Sequence, residues 1–450
     1  MQASRASGFD GPAAPVASRG GQYMALAAAF LGWMFDGLEM GLFPLVARPA
    51  LRELMGPEAE LNIGTWMAWI TAGFLVGAAA GGLLFGWLGD RVGRVRAMVW
   101  SVLTYAVFSG LCGFATSPAQ VAGLRFIAAL GMGGEWSLGV ALVMEIWPSR
   151  SRPMLAGLIG AAANVGFLAI ALVGLVLARF IGATADGLHG LGLSEETVTW
   201  LLGSDGSGWR LLMFVGALPA LLTFFVRIFV PESERWLHAS AVTPPARVAD
   251  IFESGVRHKT ILGTCLAGIA LVGTWGSIQW MQPWAHQMAT GTDAEKTAAA
   301  YTQICAGTGA IFGTLLAAFC AEWFSRRWSY FLLSVISLAV CQYLFRADME
   351  FGSWFLIWAC IAGGVTASFY GWLPLYLPEL FPTRIRATGQ GFAFNFGRVL
   401  AAFGALQSGQ LLNFFHEDYA RMCSIISLVY LVGMALIWFC PETKGQPLPD

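Results

Sequence analysis

The chain has 450 residues, 57% of them apolar and only 12% charged, with a mean hydropathy of +0.64. A soluble globule of that length needs far more polar surface, so the composition is that of a membrane protein. A formal net charge of −1 gives no overall attraction to nucleic acid. The eight cysteines lie in or beside apolar runs without metal-ligand spacing, so no disulfide, metal site or cofactor is expected.

Residues 1–21, rich in Gly, Ala, Pro and Ser, read as a disordered tail. A helix needs about 20 apolar residues to cross the hydrocarbon. Twelve stretches qualify: 22–46, 64–88, 97–116, 119–147, 153–181, 209–230, 259–283, 297–321, 328–346, 353–380, 387–413 and 421–440. Backbone polar groups find no water in lipid, so spans this long and apolar must be helices. The expected fold is an all-α membrane protein with twelve transmembrane helices.

Placing the N-terminus in the cytoplasm puts Arg91, Arg94, Arg96, Arg150, Arg152, Arg235, Arg247, Arg257, Lys259, Arg326, Arg327, Arg384, Arg386 and Lys444 in inner loops. Arg48, Arg52, Lys296, Arg346 and Arg421 then fall outside. This positive-inside bias predicts that both termini are cytoplasmic. The loop 231–258, with Pro244-Pro245, separates a bundle of six spans at 22–230 from a second at 259–440, and 441–450 forms a C-terminal tail.

The two halves repeat each other. EIWPSRSRPMLAG (Glu145 to Gly157) follows the fourth span and ELFPTRIRATGQG (Glu379 to Gly391) the tenth, with Glu, Pro, two Arg and Gly in register. FVPES (Phe229 to Ser233) ends the sixth span as FCPET (Phe439 to Thr443) ends the twelfth. Two matches at a six-span interval predict a pseudo-symmetric pair of six-helix bundles.

With these repeats, GWLGDRVGR (Gly86 to Arg94) resembles the signature loop of the major facilitator superfamily, and PESERWL (Pro231 to Leu237) and PETKG (Pro441 to Gly445) resemble the closing motifs of its sugar-porter and metabolite:proton symporter branches. DGLE in the first span and RFIAALGMGGE (Arg125 to Glu135) in the fourth are similar to patterns of aromatic-acid and sialic-acid proton symporters. The resemblance implies that the signature loop engages the cytoplasmic end of the eleventh helix, with Asp90 facing its positive end near Ala387. Two departures stand out. AEWFSRRWS (Ala321 to Ser329) has Ser325 where Asp90 stands in the first copy, which predicts an asymmetric gate. TWGSIQWMQPW in the seventh span lacks the pattern of a typical sugar porter.

Charged groups inside the spans carry the functional reading. Asp36 and Glu39 are three residues apart, share a helix face and can act as a pair. Each charge near a bilayer centre costs about 2.5 to 3.5 kcal/mol, so they must be paired, hydrated or protonated. Gly37 between them loosens the helix. Arg125 is a candidate partner for either acid. Glu135, ten residues on and about 15 Å deeper, is expected to face a cavity without a cation from its own half. These make Asp36, Glu39 and Glu135 the expected proton-coupling set, although hydrated structural acids at the outer mouth fit the same pattern.

In the eleventh span Arg398 has no acid at its own depth in the second half. A substrate carboxylate would engage its planar fork, or Arg398 bridges to Glu135 or Asp36. Trp275, Gln279 and Gln282 recur on one helical face, and Asn395 and Tyr370 add hydrogen-bonding groups. With Arg125 and Arg398 they form the expected substrate wall. The expected gate comprises Asp90, Arg91, Arg94, Glu145, Arg150, Arg152, Glu379, Arg384 and Arg386, with Glu145 pairing to Arg150 or Arg152 and Glu379 to Arg384 or Arg386.

No HExxH or GxSxG is present, and the five histidines are scattered, so an enzyme is not expected. The sequence points to a monomeric secondary transporter of the inner membrane. Its expected partners are the lipid bilayer, protons and a small organic anion. A sugar or other neutral solute is the alternative, and a non-transporting receptor a further one.

Overall fold

Ser18 opens the first helix by accepting the amide N–H of Gly21 at 3.2 Å, the usual way of satisfying an orphan donor at a helix start. The computed structural model describes residues 18–56, 59–203, 206–242, 244, 246–294, 297–415 and 418–449. The expected N-terminal tail lies outside these residues up to position 17, and Arg19 to Gly21 already belong to the first helix.

The first half contains α1 (Arg19–Met55), α2 (Ala59–Val92), α3 (Arg94–Leu111), α4 (Pro118–Ile146), α5 (Arg152–Arg179), α6 (Ile181–Gly190), α7 (Glu195–Leu202), α8 (Trp209–Val215) and α9 (Ala220–Phe229). The connecting segment carries α10 (Glu234–Val242) and a short 3-10 turn at Val248–Phe252. The second half contains α11 (Arg257–Gly276), α12 (Met281–Ala289), α13 (Ala298–Trp323), α14 (Arg326–Arg346), α15 (Ser353–Ala367), α16 (Phe369–Leu380), α17 (Arg386–Phe414), α18 (Tyr419–Ile426) and α19 (Val429–Leu436). No strand occurs among the described residues.

Ten stretches among these residues are long and apolar enough to cross a membrane. The expected sixth span is not one of them, because a turn at residues 216–219 divides it into α8 and α9. The expected eleventh span, now α17, is not one of them either.

Two expected spans break where the cavity lies. α11 stops at Gly276, and Ser277 turns its hydroxyl back to the Gly273 carbonyl. Pro283 then sits in the first turn of α12, where its missing N–H costs nothing but its ring cannot follow a straight helix. The tenth span breaks at Ser368, whose hydroxyl donates to the carbonyls of Gly364 at 2.9 Å and Gly313 at 3.0 Å. Such breaks are tolerated at membrane depth where protein groups satisfy the freed backbone.

Within the first half α1 packs on α5, and α2 and α3 pack on α4. Gly37 does not loosen α1, which runs continuously through it. A Cβ at Gly37 would stand 1.8 Å from the Ala163 carbonyl oxygen, so glycine here permits the α1–α5 crossing. Across the halves, α2 packs on α17 and α5 on α13. One apolar cluster joins Trp33 and Trp136 to Phe394, with Trp136 stacked on Phe394 at 3.9 Å.

Candidate functional site

Five ionisable side chains from three helices are buried at this junction: Asp36 and Glu39 on α1, Arg125 and Glu135 on α4, and Arg398 on α17. The two α1 acids do not form the expected pair. Glu39 is engaged by the Arg125 guanidinium and by the Ser109 hydroxyl, which donates to it at 2.5 Å. Arg125 also lies over the rings of Phe43 at 5.1 Å and Phe74 at 4.7 Å. It is therefore neutralised and enclosed on the protein side, away from the cavity wall.

Asp36 has Glu135 and Arg398 as its principal charged neighbours. Glu135 also faces the buried Tyr105 of α3. No oxygen of either carboxyl, nor the Tyr105 hydroxyl, closes a hydrogen bond of normal geometry. Two facing carboxylates offer only acceptors, so they can bond each other only when one carries a proton. The room for Glu135 comes from Gly32, one turn before Asp36 on α1. A Cβ at Gly32 would fall 1.6 Å from the Glu135 Oε1.

Beside this pair lies a cavity with an empty volume of about 870 Å³, its open mouth included. Trp275, Gln279, Gln282, Tyr370 and Arg398 line it. The breaks after α11 and α15 supply the first four, and Arg398 is the only charged side chain in the wall among the described residues. One of its terminal nitrogens, Nη1, has no hydrogen-bond partner, and its guanidinium lies 5.6 Å from the Phe394 ring. Asn395, expected in the wall, instead donates to the carbonyls of Gly133 at 3.0 Å and Gly391 at 2.9 Å, tying α17 to α4.

Sequence reasoning missed Trp33, Asn164, Thr274, Gln303 and Phe394 in the wall. Asn164 and Gln303 had a legible signal, each being an amide inside an apolar helix. Gln303 accepts from the Gln282 amide, and both line the cavity.

At the face that carries the signature loop, a buried network crosses between the halves. Asp90 accepts the amides of Ala387 at 3.1 Å and Thr388 at 2.7 Å, with the Thr388 hydroxyl at 2.5 Å. A carboxylate here meets the positive end of α17. Arg94 reaches Asp90 at 2.6 Å, Glu145 at 3.1 Å and the Thr383 carbonyl at 2.8 Å. Arg386 completes the crossing, bonding Glu145 at 2.8 Å and the Pro449 carbonyl at 2.6 Å.

Several expected pairings are corrected. Glu145 takes Arg94 and Arg386, not Arg150 or Arg152. Glu379 takes Arg326, at 2.9 and 3.0 Å, not Arg384 or Arg386. Arg384 pairs with Asp250 of the connecting segment at 2.6 Å. Arg91 is exposed and lies over Trp87, and Arg150 is exposed.

The register of the second signature loop also shifts. The Arg94 amide bonds Glu232 at 2.9 Å and its side chain bonds the carbonyl of Gly89, five residues back. The Arg326 amide bonds Glu442 at 2.9 Å and its side chain bonds the carbonyl of Ala321, again five residues back. Arg326 thus corresponds to Arg94, and Glu322, not Ser325, to Asp90. The asymmetry stands for a different reason: Glu322 is exposed, while Asp90 is buried.

Comparisons with known proteins agree with this architecture. A putative metabolite transport protein of Haemophilus influenzae is 28% identical over 448 residues, covering 95% of this chain and 98% of that one. The cis,cis-muconate transport protein of Acinetobacter baylyi is 28% identical over 398 residues, covering 86% and 87%. In fold, the chain resembles the proton:xylose symporter XylE bound to 6-bromo-6-deoxy-D-glucose, with a TM-score of 0.72, 18% identity and coverage of 95% and 98%. Residues 24–405 match the profile of the Major Facilitator Superfamily, and with its apolar helices the chain is an integral, multi-pass membrane transporter belonging to that family.

Proposed function

We propose that this chain carries a small organic anion together with a proton, by alternating access across the bacterial inner membrane. The observation that carries this reading is Arg398, a lone cation in an aromatic and amide-lined wall, set beside the facing carboxyls of Asp36 and Glu135. A substrate carboxylate takes the free donors of Arg398 bidentately. Asp36, losing its share of that cation, is then held by a proton between it and Glu135. Binding the anion and retaining the proton become one event. The name of the muconate-transporting relative, an organic-acid carrier, supports the substrate class.

In this reading α8–α9 and α17 join the ten long apolar stretches to make twelve spans. They form bundles at 22–230 and 259–440 joined by 231–258, with both termini cytoplasmic and the protein monomeric. Glu39 serves with Arg125 as a fixed internal pair. Asp90, Arg94, Glu145 and Arg386 latch the inner face, so the cavity opens outward. The amides of Gln279, Gln282, Gln303 and Asn164 favour a second reading, a neutral hydroxylated solute.

The test is internal pH in proteoliposomes holding a pH dye, with aromatic acids, small carboxylates, sialic acid and sugars added outside. Acidification is expected with a carboxylate and is lost in Asp36→Asn and Arg398→Ala. Carboxylate uptake by Arg398→Ala equal to wild type overturns the anion role. Sugar entry without acidification establishes the second reading.

A further inference from the structure

The closing motifs of the two halves lead into different structures. FVPES (Phe229 to Ser233) runs on into α10, whereas FCPET (Phe439 to Thr443) is followed by KGQPLP (Lys444 to Pro449), which is not helical. The second motif is anchored on its own half: the Tyr376 hydroxyl donates to the Pro441 carbonyl at 2.7 Å and the Thr443 hydroxyl to Glu379 at 2.6 Å. The chain then reverses. The Gln446 amide bonds the Thr443 carbonyl at 3.0 Å, and Gly445 between them has a φ of +78°, which glycine adopts without strain. Pro447 and Pro449 stiffen the residues that follow, so little chain entropy is lost in holding Leu448 in place.

The reversal carries the segment into the gate. Leu448 is 3% exposed and belongs to the apolar cluster that also holds Met144 and Leu155 of the first half and Leu380 and Phe381 of the second. The Pro449 carbonyl accepts Arg386 Nη2 at 2.6 Å and the Thr383 hydroxyl at 3.3 Å. The other Arg386 nitrogens are engaged as well, Nε by the Pro378 carbonyl at 3.3 Å and Nη1, across the halves, by Glu145 at 2.8 Å. Thr383 offers its own carbonyl to Arg94 at 2.8 Å. The segment thus completes the shell of the arginine that crosses the gate. Arg152, the counterpart of Arg386 in the repeat, is also buried, but its Nε has no partner.

We propose that residues 445–449 form a strap that holds the gate face closed. Without it, Arg386 Nη2 is left buried and unpartnered while the halves are latched, whereas a parted gate face admits water that satisfies the same group. The cost of losing the strap therefore falls on the latched state. That the gate face parts at all rests on the alternating access proposed above.

The test is hydrogen exchange at the Ala387 and Thr388 amides of the purified full-length protein. Both amides bond Asp90 across the halves, so their exchange reports the parting of the gate face. Wild type is compared with Gly445→Val, Gly445→Asn, Leu448→Asp and, as a direct break of the latch, Glu145→Gln. A Cβ at Gly445 meets nothing within 4 Å, so Gly445→Val acts through the turn alone and is expected to fold, while asparagine tolerates the left-handed region. Exchange is expected to quicken roughly tenfold in Gly445→Val and Leu448→Asp, the effect of one buried group left unpaired, and to stay at the wild-type rate in Gly445→Asn. Unchanged exchange in Gly445→Val, with Glu145→Gln fast, overturns the strap and leaves the gating reading standing. Unchanged exchange in Glu145→Gln as well overturns both. An effect confined to Leu448→Asp is a packing defect, and equal effects in the valine and asparagine variants deny the turn its role; either result overturns the strap.

Discussion

At the level of single residues, Gly32 decides whether the Asp36–Glu135 pair can exist. Any Cβ there would occupy the place of the Glu135 carboxyl. Gly32→Ala is therefore expected to displace Glu135 and cut carboxylate-driven acidification by roughly tenfold or more, since small misplacements of reacting groups have effects of that order. Shortening the acid should restore room. The double variant Gly32→Ala with Glu135→Asp is expected to recover part of the activity in the same liposome assay, and no recovery would show that Gly32 serves α1–α4 packing instead. The acids were legible in the sequence because a charge inside an apolar span is costly wherever it points. Gly32 was not, because a glycine between Leu31 and Trp33 gives no sign in the sequence of what fills the space beside it.

The helix caps give the corresponding test for single elements. Glu232 caps α3 and Glu442 caps α14, each accepting two successive amides. Their protonation differs. Burial raises Glu232 above the ordinary glutamate value despite the amides of Ser233, Val95 and Arg94. At Glu442 burial also pushes upward, but the amides of Arg326, Lys444 and Arg327 outweigh it and leave the group below the ordinary value. A depressed carboxyl contributes stability that is present above its unfolded value and lost as pH falls through its folded one; a raised carboxyl makes the native state gain as pH falls. Glu442→Gln should therefore cost more at neutral than at acid pH, and Glu232→Gln the reverse. Unfolding midpoints of both variants against pH check this, and parallel profiles would refute it.

At the scale of the whole molecule, Glu145 holds both Arg94 from the first half and Arg386 from the second. Glu145→Gln leaves two buried guanidinium groups short of charge, a change of about 3–5 kcal/mol where a buried pair is broken. In the gating proposed above, only the latched arrangement brings the two together, so the loss would fall on that state. The variant is expected to open the face that carries the signature loop, read as a longer spin-label distance between the C-terminal end of α4 and the N-terminal end of α17. An unchanged distance distribution would remove Glu145 from the latch.

Composition and span length by themselves fixed membrane residence and the helical class, because backbone groups in hydrocarbon permit few alternatives. The repeat of EIWPSRSR in ELFPTRIR likewise pointed to duplicated halves. What the sequence could not decide was pairing. Asp36 and Glu39 share a face in one dimension, yet α3 and α4 divide them, giving Ser109 and Arg125 to Glu39 and Glu135 to Asp36. Glu379 is seven residues from Arg386 in the chain, but the fold gives it to Arg326 and sends Arg386 to Glu145, across the two halves. Burial demands a partner for each charge, and which partner arrives is set by the crossing of helices distant in sequence.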